Sequence, residues 1–106
     1  MGNKLDLIHP GAILYEEFME PLGITAYKLS KELKLQQTAI SQIVKGKRRI
    51  TVETALRLSR FFGNSAQFWL NLQIHHDIEL VSEKKKTLIR EIIPWKKPKG
   101  NIVSYA

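Results

Sequence analysis

"AYKLSKELKLQQTAISQIVK" spans residues 26–45 and contains the spacing that decides the fold. Its apolar residues fall at fixed offsets, at Leu29, Leu33, Leu35, Ile40 and Ile43. These offsets describe two short helices joined by a tight connection at residues 34–36, with the apolar side chains clamping the helices together at a steep angle. The pattern is typical of a helix-turn-helix, and it predicts that one face of the second helix projects outward.

The projecting face is predicted to be polar at its start and basic at its end. A helix fits the major groove of B-DNA, where amide and hydroxyl groups read base edges and a glutamine can pair bidentately with adenine. Cations suit the phosphates, which set register and affinity. We therefore predict base contacts from Gln36, Gln37, Thr38, Ser41 and Gln42. We predict phosphate contacts from Thr25, Lys45, Lys47, Arg48 and Arg49.

A helical hairpin with merely solvated glutamines is the alternative interpretation of the same offsets. We favour DNA binding because the glutamine cluster and the basic turn coincide with the motif. Two residues depart from the usual pattern: Ser30 stands where alanine is common, and Lys34 stands where glycine usually takes a left-handed conformation. A left-handed lysine costs on the order of 1–2 kcal/mol.

The positive charge is concentrated in two segments of a chain whose formal net charge is +7. Residues 25–60 hold nine lysines and arginines against two glutamates, and residues 84–106 hold seven against one. Such segments favour polyanions, because Coulomb attraction is joined by the release of condensed counterions. The alternative is a basic face that is solvated and has no partner.

The length of 106 residues predicts one domain with a modest core. There is no cysteine, so a disulfide scaffold and a thiolate metal site are excluded. No apolar run approaches the roughly 20 residues of a transmembrane helix, and the N-terminal residues lack the apolar region of a secretory signal. We therefore expect a cytoplasmic protein without a membrane partner.

Helical patterns flank the motif on both sides. One helix should begin at Pro10 and end near Pro21, and Thr51 and Ser65 should cap two later helices. The helix after Thr51 is predicted to bury Val52, Ala55, Leu56, Leu58 and Phe62. We predict an all-α fold, with a five-helix domain over residues 8–91 and an extended basic tail over residues 92–106.

The last long helix is predicted to serve both the core and a dimer. Phe68 and Leu72 are expected to close the core. A second stripe at helical spacing should remain outside it, formed by Leu70, Ile74, Ile78 and Val81. The alternative is that all of these residues are intradomain core. We favour a homodimer, because two recognition helices on DNA need a two-fold partner.

"HHD" at residues 75–77 invites a metal site, but the spacing argues against one. Consecutive helical residues point about 100° apart, so His75 and His76 do not easily share an ion, and no His-Glu-x-x-His pattern is present. Structural histidines are the favoured interpretation. No nucleophile has a neighbouring base in sequence and no Gly-rich phosphate loop exists, so we predict no enzyme, no metal and no cofactor.

Three further stretches carry a family resemblance. "HPGAILYEEFMEPLGIT" (9–25), "ITVETALRLSRFFG" (50–63) and "NSAQFWLNLQIHHDIEL" (64–80) resemble the HigA-type antitoxins, also called virulence-associated protein I, within the lambda-repressor-like or XRE helix-turn-helix family. The resemblance covers residues 8–80. It implies a five-helix dimeric domain that binds double-stranded DNA at the operator of its own operon. It also implies a protein partner, a HigB-type toxin that is an mRNA-cleaving ribonuclease of the RelE-like class.

Two classes of function follow from these observations. The first is a sequence-specific transcriptional autorepressor, and the second is an interaction module that neutralises a toxin; a type II antitoxin combines both. The alternative is a stand-alone phage-type repressor without a toxin. A small basic reading frame beside this gene would favour the antitoxin.

Overall fold

The chain between residues 8 and 96, which a computed structural model describes, folds as helices joined by short loops. Helix α1 covers residues 10–22 and contains a π-helical stretch, Leu14–Met19, between the α-helical turns Pro10–Ile13 and Glu20–Leu22. The other helices in this range are α2 (Ala26–Leu33), α3 (Gln37–Val44), α4 (Val52–Phe62), α5 (Ala66–Lys84) and the short α6 (Lys86–Arg90). The all-α prediction is confirmed for residues 8–96, and α6 adds a short sixth helix to the five expected.

Side-chain caps fix where the helices begin. The hydroxyl oxygens of Thr25, Thr51 and Ser65 each accept a hydrogen bond from a backbone N–H in the first turn that follows, at 3.1–3.2 Å. These bonds satisfy N–H groups that the helix itself leaves unpaired. The predicted caps at Thr51 and Ser65 are therefore confirmed, and Thr25 caps α2 in the same way. Helix α1 is capped by His9, whose Nδ1 accepts from the N–H of Gly11 at 2.9 Å.

The core lies where α2 and α3 meet α1, α4 and α5. Four of the five residues predicted to clamp the helices, Leu29, Leu33, Ile40 and Ile43, are buried. The other buried apolar side chains of the described range are Leu14, Met19, Ile50, Ala55, Leu58 and Trp69. Leu35 packs against this core from its edge.

The inward face of α4 is narrower than predicted. Ala55 and Leu58 are buried and Phe62 packs against the core, but Val52 is 60% exposed and Leu56 is 55% exposed. The prediction that Val52 and Leu56 point inward is therefore wrong. Each residue turns the helix by about 100°, so Leu56 points away from the stripe on which Ala55 and Leu58 lie.

Helix α5 buries a different stripe from the one predicted. Trp69 is fully buried, and its ring lies 4.7 Å from the ring of Phe18. Its indole N–H donates to the side-chain oxygen of Asn64 at 2.9 Å, which allows a polar atom in this position. Phe68 is exposed, so the prediction that it closes the core is wrong, whereas Leu72 does pack there.

Helix α1 packs closely against the end of α3. Gly11 is buried, and a Cβ at this position would overlap the carbonyl oxygen of Ile43. Only glycine permits this approach, because it has no side chain. The contact fixes the position of the outward-facing helix of the motif.

Beyond α6, residues 93–96 have no regular secondary structure, and the remainder of the predicted tail, residues 97–106, lies outside the described residues. The division into a domain over 8–91 and a tail over 92–106 stays a prediction. Among the helices of residues 8–96, none has the length and apolar character needed to span a membrane.

Candidate nucleic-acid interface

The connection between α2 and α3 sets the angle of the motif. Lys34 ends α2 in the left-handed conformation that glycine usually takes at this place in the pattern, with φ 60° and ψ 42°. The N–H of Leu35 then donates to the carbonyl of Ser30 at 2.9 Å, which closes the helix end. Ser30 is buried, and its hydroxyl donates to the carbonyl of Tyr27 at 2.7 Å. Serine is therefore accommodated where alanine is usual.

Helix α3 presents its first turn to solvent. Gln36 occupies the N-cap position, and Gln36, Gln37 and Thr38 are exposed. Ser41 and Gln42 follow one turn later and are half-buried. All five residues predicted to read bases therefore belong to this helix or its cap. Base contact itself stays a prediction for each of them.

Ser41 lines a cavity together with two of the predicted phosphate contacts, Thr25 and Lys45. A cavity of about 410 Å³ between α1, α2 and α3 is lined by Thr25, Ser41 and Lys45, with Tyr15 and Met19 on its apolar side. The hydroxyl of Ser41 on α3 therefore faces the same cavity as Thr25, the N-cap of α2, and the acidic Glu20 lines this cavity too.

The cations of the basic turn after α3 differ in their contacts with the rest of the protein. Lys45, Lys47, Arg48 and Arg49 are all exposed, but the two arginines have protein partners. Arg48 donates from Nε and Nη2 to Oε1 of Gln42, at 3.0 and 2.8 Å. Arg49 pairs with Asp77 of α5 through an Nη2–Oδ2 distance of 2.6 Å. Contact with phosphate stays a prediction for these four residues.

A buried glutamine extends the Arg49 pair into the core. Gln73 is 2% exposed; its Nε2 donates to Oδ1 of Asp77 at 3.0 Å, and its Oε1 accepts from the N–H of Ile50 at 2.7 Å. The side chains of α5 therefore hold both the backbone and one cation of the basic turn. This arrangement positions the turn beside α3.

His9 and His76 pack edge to face beneath the same turn, with ring centroids 4.9 Å apart. The pKa of His9 is lowered from its ordinary value, first by burial and then by His76, while Asp77 opposes the shift. A neutral His9 suits its role as cap, since Nδ1 must accept a hydrogen bond. The ring of His76 lies against that cap. In residues 8–96, no three His, Asp or Glu side chains are grouped as metal ligands.

A profile of the helix-turn-helix family matches residues 16–69, which include α2, α3 and the basic turn. The chain belongs to the helix-turn-helix family. Within that family, virulence-associated protein I of Dichelobacter nodosus is 42% identical over 100 residues, covering 94% of this chain and 92% of the relative.

Two solved structures of helix-turn-helix proteins share the fold. An addiction module antidote protein of the HigA family from Coxiella burnetii has a TM-score of 0.79 and 41% identity, over 84% of this chain and 98% of that one. Pseudomonas aeruginosa antitoxin HigA, solved with the higBA promoter, has a TM-score of 0.80 and 37% identity, over 83% and 97%. The resemblance to HigA-type antitoxins is confirmed. These relatives are regulators and antitoxins, not enzymes, which confirms that prediction as well.

Three residues of this helix-turn-helix site were not anticipated from sequence: His9, Gln73 and Asp77. The signal for two of them was present, because Gln73 and Asp77 are four residues apart and share one face of α5. Trp69 is buried four residues before Gln73, and this extends the stripe. The cap at His9 carried less signal, since histidine is not among the usual N-cap residues.

The predicted dimer stripe of this helix-turn-helix protein lies on the outer side of α5. Ile74, Ile78 and Val81 are about half exposed, so they are not part of the intradomain core. Leu70 is half-buried and packs against the core, which differs from the expectation that it stays outside. Dimer contact through these four residues stays a prediction.

Proposed function

We propose that this chain is a HigA-type antitoxin that acts in the cytoplasm, represses its own operon as a homodimer and neutralises a HigB-type, RelE-like toxin. The observation that carries the DNA-binding part is the surface of α3, where Gln37 and Thr38 are exposed next to the basic turn. Neutral donors and acceptors followed by cations are the groups that base edges and phosphates require.

The rigidity of the surface supports this function. The buried side chains of Ile40 and Ile43 anchor α3 in the core, and Gly11 of α1 packs against its C-terminal end. The side chain of Gln73 ties the backbone at the end of the basic turn to α5. A recognition helix that is already ordered pays little conformational entropy on binding. The expected footprint is two half-sites about 34–36 Å apart, one on each side of a two-fold axis.

The toxin partner is supported by the kinship with HigA antitoxins. Their solved structures match more than four-fifths of this chain. Among the residues described, Leu56 and Phe61 are exposed apolar side chains that belong to α4 and not to α3. Toxin binding at a surface other than α3 would leave DNA contact available to the same chain.

The DNA-binding part is tested with the promoter region upstream of this gene. Gln37→Ala combined with Gln42→Ala should abolish preference for that promoter over random DNA while weak, salt-sensitive binding remains, because phosphate contacts carry most non-specific affinity. The measurement is a competition titration by fluorescence anisotropy at two salt concentrations. Exposed Gln67→Ala on α5 is the control and should bind as the native chain does. Equal affinity of the native chain for promoter and random DNA would refute operator recognition.

The toxin part is tested by co-expression with the neighbouring small reading frame. The native chain and the Gln37/Gln42 double variant should both restore growth and co-purify with the toxin. Loss of rescue by the folded double variant would place toxin binding on α3. Native promoter binding without rescue by the native chain would instead indicate the stand-alone phage-type repressor.

A further inference from the structure

The amide of Gln42 is held in one orientation by Arg48. Nε and Nη2 of Arg48 both donate to Oε1 of Gln42, at 3.0 and 2.8 Å. A guanidinium has only donors, so the atom of Gln42 that faces it must be the carbonyl oxygen and not the amide nitrogen. The orientation of this side chain therefore follows from chemistry.

The backbone explains why two residues six positions apart meet. After α3 ends, Gly46 takes φ 77°, and the N–H of Lys47 donates back to the carbonyl of Gln42 at 2.8 Å. The chain reverses here, which brings residue 48 beside the last turn of α3. Glycine adopts this conformation without a steric penalty.

The pairing changes what Gln42 can recognise. Bidentate pairing with adenine needs Oε1 to accept from the N6 amino group while Nε2 donates to N7. Arg48 already occupies both acceptor positions of Oε1, so the free part of the amide consists of the two N–H donors of Nε2. In the major groove, guanine offers two neighbouring acceptors, O6 and N7, whereas adenine offers one acceptor beside a donor.

We propose that Arg48 sets the base specificity of Gln42, so that Gln42 selects guanine instead of adenine in the operator half-site. The inference rests on the proposed DNA-binding function and deepens it. Arg48 acts here as a positioning residue for Gln42. The pair should strengthen in the complex, because a charge-assisted hydrogen bond gains when water is excluded from around it.

A phosphate contact by Arg48 is compatible with this geometry but has a different signature. The two bonds to Gln42 use two of the five N–H donors of the guanidinium, and the rest stay available to a phosphate. A residue that only contacts phosphate affects all sequences alike. A residue that orients Gln42 changes the preferred base at one position of the half-site.

The experiment is selection from a randomised duplex library by the full-length native chain and by variants. The position read by Gln42 is first identified as the one whose base preference disappears in Gln42→Ala. The native chain should select guanine there. Arg48→Met keeps the stem of the side chain but has no donor, and it should shift the preference toward adenine by about fivefold or more, the lower bound for one bidentate pairing. Other positions should be unchanged.

Lys47→Met is the matched control, because it removes a cation from the same turn without removing a donor from Gln42. It should weaken all sequences together and leave the base preference as in the native chain. Thermal unfolding of each variant checks that the fold is retained. Adenine selected by the native chain at the Gln42 position, or an unchanged preference in Arg48→Met, would overturn the inference while leaving operator binding intact. A native chain that selects no sequence at all would overturn the proposed function itself.

Discussion

Lys34 is the one non-glycine residue of the described range with a positive φ. Its left-handed conformation follows from the pattern of the motif, because the chain must reverse between α2 and α3 within three residues. The side chain does not benefit from this conformation, since Cβ is then close to the following carbonyl. The turn is supported by a hydrogen bond in which Nη1 of Arg57 donates to the carbonyl of Leu33 at 2.7 Å.

Lys34→Gly should raise the free energy of unfolding by roughly 1 kcal/mol. The substitution removes the left-handed penalty, and the greater freedom of glycine in the unfolded chain offsets part of that gain. Equilibrium urea unfolding is the measurement. Lys31→Gly removes the same charge from the interior of α2 and should instead lower stability by about 1 kcal/mol. A loss of stability in Lys34→Gly comparable to that of the control would contradict the argument.

At the scale of elements, the sequence pattern of α5 does not show which face of this helix is buried. Apolar residues surround most of this helix, so periodicity alone does not choose which stripe is buried; the prediction chose Phe68, whereas Trp69 and Gln73 occupy the core. The choice depends on the shape of the space left by α1 and α4, which no local pattern records. By contrast, the inward residues of α2 and α3 were predictable, because both helices are short and each has a single apolar stripe.

Gln73→Leu should lower the free energy of unfolding by about 1–3 kcal/mol, although leucine has a similar size and is more apolar. The buried N–H of Ile50 would lose its acceptor, and an unpaired buried donor carries that cost. Chemical denaturation gives the stability, and hydrogen exchange of the Ile50 amide reports the bond directly. Gln67→Leu, on the exposed side of the same helix, should change stability by less than about 0.5 kcal/mol. Similar values for both variants would show that the Ile50 bond contributes little.

At the scale of the whole molecule, the proposed operator binding requires two copies of the candidate site. One recognition helix reads one half-site, and a symmetric pair is needed for a full operator. The positions of the residues predicted to read bases and of the basic turn could be predicted, because they belong to a local motif. Their pairings, Arg48 with Gln42 and Arg49 with Asp77, could not, because they depend on the chain reversal at Gly46 and on the packing of α5.

Ile78→Glu should convert a dimer into a folded monomer. Ile78 is 56% exposed on the outer face of α5, so a carboxylate is tolerated in one chain but would be desolvated between two. Sedimentation equilibrium should show half the native mass, and promoter affinity should fall by at least tenfold because the two half-sites are no longer linked. Leu56→Glu is the control, since Leu56 is equally exposed on α4 and lies outside the stripe. A native chain that sediments as a monomer at high concentration would contradict the dimer.

The absence of space at Gly11 also limits which mutations the gene can tolerate at this position. Every single-base change in a glycine codon is silent, ends the chain or introduces a residue with a Cβ, and that Cβ would overlap the Ile43 carbonyl. The first helix would then have to move away from the helix that carries the glutamines. A genetic selection for failed repressors should therefore collect changes at codon 11, although Gly11 is buried and carries no group that distinguishes one base from another.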